Sequence, residues 1–376
     1  MKKINVLHVF KDEKFFDRVL RFFLALPNVN NLFYYYSKNT QSFKYIKNTE
    51  VIINCDSWDD YTQLFSSPDI DIIYFHSISV ADYKLFKYID PSKIVIWWCW
   101  GYDIYNSYGF LKPLINIKQF KPETSKIAKS NKNIVKRIGQ YLKSIQLYKL
   151  RELALSRVDY FTPVIPFEYH LMKNNPLFKA RPFMIEGGPG FIVKRDFVFK
   201  EVAGNIIIGN SLTLSNNHLD ILDAIKNISI AENRSYIVPI NYGNDLDKKH
   251  LKKKAQHINA NFKWLESFIP NEEYQEIYKT VTHAIFGHMR QQAMGNINLC
   301  LRTGVKVFLY KDSIIYKQLK NRGYFIYSIE EDLNPYSLEQ TLSKEEAYHN
   351  YNLYYEIAGD KVLKATDELK IILSNR

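Results

Sequence analysis

The most constraining feature of this sequence is an alternation of short apolar runs with stretches of helical periodicity. In the first half, the apolar runs predict strands at residues 4–10, 32–36, 51–54, 70–75, 93–98 and 158–162. Helices are predicted between them, at residues 12–25, 58–65 and 81–88. Because a parallel strand pair needs a crossover connection, this alternation is typical of an open parallel sheet covered by helices.

The same rhythm restarts after a turn-rich passage at residues 181–190. Strands are predicted at residues 205–209, 236–239, 262–264, 283–286, 305–309 and 324–327, and helices at 216–226, 272–280 and 345–374. A chain of 376 residues also has the length of about two domains. We therefore predict an α/β protein with two Rossmann-like, doubly wound domains, residues 1–190 and 191–376, which face a central cleft. Ligands of such sheets bind beyond the carboxyl ends of the strands.

Composition excludes several classes of protein. With 46% hydrophobic and 24% charged residues, the chain is neither disordered nor collagen-like. Its three cysteines, Cys55, Cys99 and Cys300, are far apart, which favours a reducing compartment without a zinc site. The N-terminal apolar run is too short for a signal peptide, and no run is long enough for a transmembrane helix. We expect a cytoplasmic protein.

Most of the net charge of +12 lies in a helical insert from Lys112 to Arg157, which has twelve basic and two acidic residues. Apolar residues recur within it at helical spacing between Ile127 and Tyr148. A basic amphipathic helix indicates contact with an anionic membrane surface, and the alternative is a solvated face packed by its apolar stripe. Nucleic acid is a third option, which no recognised motif supports.

Two polar segments each follow a predicted strand of the second domain. The first comprises Gly209, Asn210, Ser211, Ser215, Asn216, Asn217 and His218. Such a loop, with Ser215 or Asn216 as the helix N-cap, can bind phosphate; the alternative is an ordinary capped turn. The second comprises Arg290, Gln291, Gln292, Gly295 and Asn296, which offer a cation for a diphosphate and amides for sugar hydroxyls. The alternative is a polar helix start. Neither segment is a Walker loop or a dinucleotide fingerprint.

An aromatic segment closes the fifth predicted strand of the first domain. It contains Trp98, Trp100, Tyr102 and Tyr105, whose rings could face a sugar or an isoprenoid, and Asp103, a candidate general base. The alternative is an aromatic core with a capping aspartate. His76 lies at the end of the predicted strand 70–75 and is the second candidate for the base. His8 lies within the first predicted strand. The alternative for both histidines is a structural role. The pairs Asp69/Asp71 and Asp245/Asp247 fit a metal-binding pattern only weakly, so we expect no metal.

Together these blocks resemble glycosyltransferase family 56. The resemblance rests on residues 7–9, 19–23, 75–76, 98–105, 209–211, 215–218, 238–239, 242–243, 290–292 and 295. It implies a GT-B fold, with the acceptor on the first domain and a nucleotide sugar on the second. It further implies transfer of an N-acetylfucosamine-like deoxy-amino sugar from a TDP-sugar to a polyprenyl-diphosphate-linked saccharide. Such an enzyme would be bacterial, inverting and metal-independent, with no cofactor, and peripheral on the inner face of the cell membrane.

The hypothesis of sugar transfer from a nucleotide donor assigns roles to single residues. Donor binding falls to the two polar segments, with Tyr242, Glu266 and Phe268 near the nucleoside. Asp103 is expected to be the catalytic base, with His76 second and Arg290 at the leaving diphosphate. Acceptor contacts are expected from His8, Phe15, Phe16, Arg21, Trp98, Trp100, Tyr102 and Tyr105. Phe15 and Phe16 depart from the family, which has a polar histidine pair there.

Two other functions fit the same sequence. A non-catalytic protein that binds sugar nucleotides or lipid-linked saccharides would keep the same binding loops. A two-domain sugar-nucleotide epimerase would act without an acceptor, and the basic insert argues against it because a soluble epimerase needs no membrane surface.

Overall fold

The computed structural model describes residues 3–10, 13–36, 43, 46–55, 57–108, 110–130, 136–185, 194–241, 245–359 and 361–374. The chain divides into two compact units. The first unit contains Met1–Asn116, Asn133–Val193 and Ala358–Arg376, and the second contains Ile117–Lys132 and Lys194–Ile357. Each unit is built on its own parallel sheet, as the alternation of strands and helices predicts.

The first sheet has seven parallel strands in the order β3-β2-β1-β4-β5-β6-β7. These strands are β1 (Ile4–Val9), β2 (Val29–Tyr36), β3 (Ile52–Cys55), β4 (Ile72–His76), β5 (Ile94–Trp98), β6 (Tyr160–Thr162) and β7 (Arg181–Pro182). The order turns back between β1 and β4, where Val6 pairs with Ile72 and Val9 with Phe75. This is the strand order of a doubly wound sheet.

The second sheet has six parallel strands in the order β10-β9-β8-β11-β12-β13. These strands are β8 (Asn205–Ile208), β9 (Tyr236–Pro239), β10 (Phe262–Leu265), β11 (Val281–Phe286), β12 (Lys306–Leu309) and β13 (Tyr327–Ser328). It repeats the order of the first sheet, so its turning point lies between β8 and β11, where Ile208 pairs with Ile285.

The helices fill the connections. They are α1 (Glu13–Leu24), α2 (Trp58–Gln63), α3 (Tyr102–Tyr105), α4 (Pro122–Ser130), α5 (Lys136–Arg157), α6 (Pro166–Met172), α7 (His218–Ile225), α8 (Asp245–Ala255), α9 (Asn271–Thr280), α10 (Met294–Arg302), α11 (Ile314–Asn321), α12 (Pro335–Glu339), α13 (Lys344–Ala358) and α14 (Lys361–Ser374). Two predictions need correction. The helix predicted at residues 81–88 is a 3-10 turn, Tyr83–Lys87. The single helix predicted for the tail is two helices, α13 and α14, which fall in different units.

Both sheets are covered by apolar side chains. In the first unit, one cluster joins Ile72 and Ile96 of the sheet to Phe23 of α1 and Leu369 of α14. In the second unit, Ile206, Ile208 and Ile285 pack with Leu222 of α7 and other core residues. Parallel sheets are buried on both faces, which explains why their strands form continuous apolar runs in the sequence.

The basic insert is divided between the units. The predicted domains placed residues 112–157 in the first, but the structure packs α4 against α7 in the second unit, while α5 belongs to the first. Asp220 of α7 binds the first turn of α4 and so holds α4 against the second unit. Its carboxylate accepts hydrogen bonds from Glu123 N at 2.8 Å and Thr124 N at 3.0 Å, and from Thr124 Oγ1 at 2.6 Å. Asp220 thus satisfies amides in the first turn of a helix distant in sequence.

We expect Asp220→Ala to release α4 locally. Loss of a capping carboxylate costs about 1–2 kcal/mol, so hydrogen exchange of the α4 amides should accelerate about 5–30-fold. The matched control is Asp223→Ala on the same helix, which removes only a surface ion pair with Lys254 and should change exchange little. Equal exchange in both variants would mean that Asp220 does not hold α4.

Candidate functional site

The turning point of the second sheet brings the two polar segments together. Crossovers from β8 and β11 leave toward opposite sides of the sheet, which leaves a crevice at their carboxyl ends. The loop after β8 and the loop after β11 both end in this crevice, and each leads into a helix, α7 or α10. We call the two loops and the first turns of these helices the carboxyl-edge site.

Asn216 is the centre of the hydrogen bonds in the carboxyl-edge site. Its Oδ1 accepts from the Asn210 amide at 3.0 Å and from His288 Nε2 at 2.8 Å. Its Nδ2 donates to Thr213 Oγ1 at 2.9 Å and to Ser211 Oγ at 3.2 Å. Asn216 is fully buried, so it shapes the loop from within and does not present its amide to a ligand.

The first turn of α7 differs from the prediction. Neither Ser215 nor Asn216 is the N-cap, because residues 214–216 form a 3-10 turn and Asn217 caps α7 in the left-handed conformation, with φ 52°. The Asn217 amide donates to Gly287 O at 2.7 Å and to Gln119 O at 3.0 Å, and accepts from Lys121 N at 2.9 Å. Asn217 therefore ties both loops to the segment before α4. The sequence gives no signal for this contact across about 100 residues.

The loop after β11 is joined to the loop after β8 through Gln292. Its Oε1 accepts from Ser215 Oγ at 2.6 Å, and its Nε2 donates to Asn210 Oδ1 at 3.3 Å. Arg290 is half-buried, and its Nη1 donates to the Gln291 carbonyl at 2.9 Å. Gln291 is buried, and its Oε1 has no hydrogen-bond partner among the described residues. The carboxyl-edge site therefore holds a guanidinium and a buried amide oxygen beside each other.

The first turn of α10 contains the last two predicted donor residues. Ala293, the N-cap, is left-handed with φ 57°, a conformation that is strained for alanine and typical of functional sites. Asn296 donates to Tyr274 OH at 2.9 Å, so its amide is held by α9. Gly295 has open space where a side chain would lie. The space beside Gly295 leaves room for an anion near this helix N-terminus.

Two buried histidines are neutral supports of the same site. Burial lowers the pKa of His218 to about 4 and holds the pKa of His288 well below its usual range. His288, which directly follows Gly287 in the loop after β11, was not among the residues predicted for the site. It donates to Asn216, so it acts on a ligand only through the loop.

Gly209 is the position where backbone geometry is most demanding. Its φ is +66°, and an added Cβ would lie 2.5 Å from His218 Nε2 and 2.7 Å from Asn216 Oδ1.

We expect Gly209→Ala to lower thermal stability more than Gly323→Ala does. At Gly323 the φ is +85° and no atom lies within 4 Å, so only the backbone cost of about 1–2 kcal/mol applies. Equal melting temperatures for the two variants would contradict this account.

The predicted nucleoside contacts lie apart from these hydrogen bonds. Tyr242 is outside the described residues. Glu266 follows β10 and pairs with Lys248 and Lys252 of α8. Phe268 is 64% exposed, as expected of a ring available to stack on a base.

Asp103 occupies the carboxyl edge of the first sheet. Its Oδ2 accepts from Trp97 Nε1 at 2.9 Å and Ile78 N at 3.3 Å, and its Oδ1 accepts from Trp100 N at 3.0 Å. Burial raises the pKa of Asp103 to about 6, and these hydrogen bonds partly offset the rise. Asp103 is 9% exposed and is one of the residues that line an open cavity. A carboxylate with a pKa near 6 is suited to accept a proton near neutral pH.

His76 lies on the other face of the sheet. Asn31 Nδ2 donates to Phe23 O, so Asn31 Oδ1 accepts from His8 Nε2 at 2.9 Å. His8 Nδ1 must then accept from His76 Nε2 at 2.8 Å, which leaves His76 Nδ1 as an unprotonated nitrogen. That nitrogen is buried, whereas Asp103 reaches a cavity. The geometry therefore favours Asp103 over His76 as a base.

Several predicted acceptor residues belong to the core of the first unit. His8, Phe16, Trp98 and Tyr105 are all buried. Phe16 packs on Phe10, and Tyr105 OH donates to Glu168 Oε1 at 2.9 Å. Because these four side chains are buried, they pack in the core of the first unit and do not offer a surface to an acceptor.

The other predicted acceptor residues are more open or not described. Tyr102 is partly exposed, and its hydroxyl bonds Ser77 Oγ at 2.5 Å. Ser77 has a φ of 101°, a strained conformation that the sequence did not predict. Trp100 is half-buried and Arg21 is exposed on α1. The Phe15 side chain lies outside the described residues.

Glu168 is a buried carboxyl that the sequence reasoning also missed. Its Oε2 accepts from the amides of Val164 and Ile165, at 3.0 and 3.2 Å. Burial raises the pKa of Glu168 to about 7. Its position two residues after Pro166, in the first turn of α6, was the available signal.

The described residues contain neither a cluster of metal ligands nor a helix that could span a membrane. No group of three or more histidine, cysteine, aspartate or glutamate side chains among them is placed to hold a metal ion. Among the same residues, no helix combines the length and apolar character needed to cross a bilayer.

Known structures share this fold over nearly the whole chain. HepE from Anabaena, solved in complex with UDP and glucose, has 10% identity and a TM-score of 0.58, covering 99% of this chain and all of that one. The O-GlcNAc transferase of Thermobaculum terrenum is 12% identical, with a TM-score of 0.56. The match covers 99% of this chain and 67% of the transferase chain. The lipopolysaccharide outer core galactosyltransferase WaaB is 11% identical, with a TM-score of 0.51. The match covers 94% of this chain and 98% of the WaaB chain. Two helix-covered parallel sheets, together with these GT-B glycosyltransferase neighbours, confirm the predicted α/β fold of GT-B type.

Sequence comparison identifies the family. No curated protein sequence matches the chain. The sequence profile described as 4-alpha-L-fucosyltransferase, glycosyl transferase group 56, matches residues 138–348, which is more than half of the chain and includes the whole carboxyl-edge site. On this match, and with a GT-B fold, the chain belongs to glycosyl transferase group 56.

Proposed function

We propose that this glycosyltransferase moves a deoxy-amino sugar, similar to N-acetylfucosamine, from a TDP-sugar to a polyprenyl-diphosphate-linked saccharide. The observation that carries the proposal is the carboxyl-edge site. There two loops, two helix N-termini and Arg290 meet at the turning point of one sheet. Fixed amide donors and a guanidinium beside polar amides suit a diphosphate joined to a sugar. The Anabaena structure with UDP and glucose supports a sugar nucleotide as the ligand class.

In this proposal, the second unit holds the donor. The backbone of residues 209–211 and the first turns of α7 and α10 would bind the diphosphate, while Gln291 and Gln292 would face the sugar. As the bond between the sugar C1 and the diphosphate oxygen breaks, negative charge grows on the leaving group. Arg290 and the fixed amides would stabilise that charge, so the chemistry would need no metal ion or cofactor.

The first unit would hold the acceptor. The acceptor hydroxyl attacks C1 from the side opposite the diphosphate, which inverts that centre, and its proton passes to the Asp103 carboxylate. The products are the glycosylated acceptor, a nucleoside diphosphate and protonated Asp103. The basic residues from Lys112 to Arg157 would bring the protein to an anionic membrane, at the inner face of a bacterial cell membrane.

A nucleotide panel tests the donor class. We expect TDP, without added metal, to raise the melting temperature more than UDP, GDP, ADP or CMP do. At about 100 times its dissociation constant a ligand adds roughly 2.7 kcal/mol of stability. A shift that requires magnesium would contradict metal independence, and no shift with any nucleotide would remove the donor assignment. Donor interconversion without acceptor would instead identify an epimerase.

A further inference from the structure

Helix α4 comes from the first half of the chain but packs on the second unit. In chain order it stands between β5 and β6 of the first sheet, yet residues 117–132 belong to the second unit. Helices that connect parallel strands normally cover the sheet to which those strands belong. α4 instead contacts α7, the helix that follows the loop after β8. Its position therefore concerns the carboxyl-edge site and not the first sheet.

Hydrogen bonds fix this segment at the first turn of α7. The Asn217 side chain accepts from Lys121 N at 2.9 Å. Three residues later, the Asp220 carboxylate accepts from Thr124 N at 3.0 Å and from Thr124 Oγ1 at 2.6 Å. Asn217 and Thr124 are both buried. Because Asn217 also donates to Gly287 O at 2.7 Å, the segment is linked to both loops of the carboxyl-edge site.

α4 also packs on the loop after β8 itself. Ile127 of the helix, together with Leu212 and Leu214 of the loop, lines a cavity of only about 20 Å³. Such a volume holds about one water molecule, so the helix and the loop pack closely. Leu212 directly follows Ser211 and is part of the second hydrophobic core. A shift of α4 would therefore open a gap next to the backbone that is proposed to bind the diphosphate.

Charged side chains add contacts at three further elements. Glu123 of α4 pairs with Lys254 of α8 at 3.6 Å. Lys121 pairs with Glu330, which follows β13, at 3.3 Å, and its Nζ lies 4.2 Å from the centre of the Tyr310 ring, which follows β12. Each surface pair is weak by itself. Their spread over several elements gives the segment one defined position on the second unit.

We propose that Asp220 is a positioning residue for nucleotide binding and acts through α4, which holds the loop after β8 in the form that binds the diphosphate. The inference deepens the proposed function and rests on it in one respect, the assignment of the diphosphate to this loop. Neither Asp220 nor α4 touches the nucleotide. Because the linkage between two binding events is reciprocal, the nucleotide must in turn favour the docked position of α4.

Hydrogen exchange of the wild type tests this linkage without any substitution. Without ligand, the α4 amides should exchange faster than those of β11, which shows that the helix detaches locally. TDP that binds only the docked form slows this exchange by the factor 1 + [TDP]/Kd, so at about 100 times Kd we expect it to slow about 100-fold. Exchange of α2, in the first unit, should change less than about twofold. Unchanged α4 exchange with TDP bound would overturn the proposal.

Two matched double variants test the contacts of α4. Asp220→Ala/Ile127→Ser removes both the hydrogen bonds and the apolar contact, and it should bind TDP at least about fivefold more weakly. The control, Asp223→Ala/Ala128→Ser, also removes one negative charge from α7, and its α4 substitution lies outside the small cavity. It should bind TDP within about twofold of the wild type. In sugar transfer, the first variant should raise the KM for the donor while kcat stays within about twofold, as expected of a positioning residue.

The outcomes separate this inference from the proposed function. If both double variants bind TDP equally, the inference is overturned while the proposed function stands. If TDP binding depends on α4 but no sugar is transferred to a lipid-linked saccharide, the proposed function falls and the inference stands. If the wild type does not bind TDP, both are overturned. Melting temperatures of the two double variants exclude global unfolding as the cause of weaker binding.

Discussion

Replacing Arg290 with alanine is expected to lower kcat about 10²–10³-fold. Arg290 lies half-buried in the loop after β11, where its guanidinium is held by the Gln291 carbonyl. Charge on the leaving diphosphate is greatest in the transition state, so loss of a fixed donor there acts on kcat. Steady-state transfer of sugar from the nucleotide donor to a lipid-linked acceptor measures the effect.

The control for Arg290 is Arg322→Ala. Arg322 follows the C-terminus of α11, at the opposite edge of the second sheet, and its removal should leave kcat unchanged. Because Arg290 is not part of the apolar core, both variants should melt near the wild-type temperature. Near-normal turnover in Arg290→Ala would exclude this residue from stabilising the leaving group.

Asp103→Asn is expected to lower transfer about 10²–10⁴-fold while donor affinity stays unchanged. A base must be ionised to accept a proton. Because burial raises the pKa of Asp103 to about 6, kcat/KM of the wild type should rise as the pH passes through about 6 and level off above it. Asparagine cannot ionise, so the residual activity of the variant should lack this rise. A pH profile of both proteins checks the assignment.

Asp90→Asn is the control for this variant. Asp90 precedes β5, at the amino edge of the first sheet, and its Oδ1 accepts from the Ser92 amide at 2.8 Å. It should keep wild-type activity and the wild-type pH profile. Retention of the rise near pH 6 in Asp103→Asn would mean that another group is the base.

The fold could be predicted because its signals are local. Apolar runs such as residues 72–76 and 206–208 lie in strands buried on both faces, so they stand out from the helices around them. The start of α7 could not be predicted in the same way. Ser215 has the chemistry of an N-cap, yet the left-handed Asn217 takes that place because its side chain binds Gly287 and residues before α4.

The proximity of the two polar segments could be predicted from the sequence, but the surroundings of each side chain could not. Polar residues at the ends of β8 and β11 had to meet, because the strands are neighbours in the sheet. Both Asn216 and Arg290 are polar loop residues, but their burial differs. Asn216 is fully buried and supports the loop from within, whereas Arg290 is only half-buried. Aromatic residues are subject to the same ambiguity: Trp98 and Tyr102 are close in sequence, yet one lies in the core and the other is partly exposed.

The assignment of α4 and α14 has a practical consequence for anyone who would cut this protein in two. A fragment that ends near residue 190 lacks α14, whose Ala365, Leu369 and Ile372 are part of the first hydrophobic core. The complementary fragment lacks α4 and the residues that bind Asn217. Neither half would be a complete folding unit. Cutting the gene at that boundary should therefore give unstable pieces, and functional separation of the two units calls for point substitutions in the intact chain.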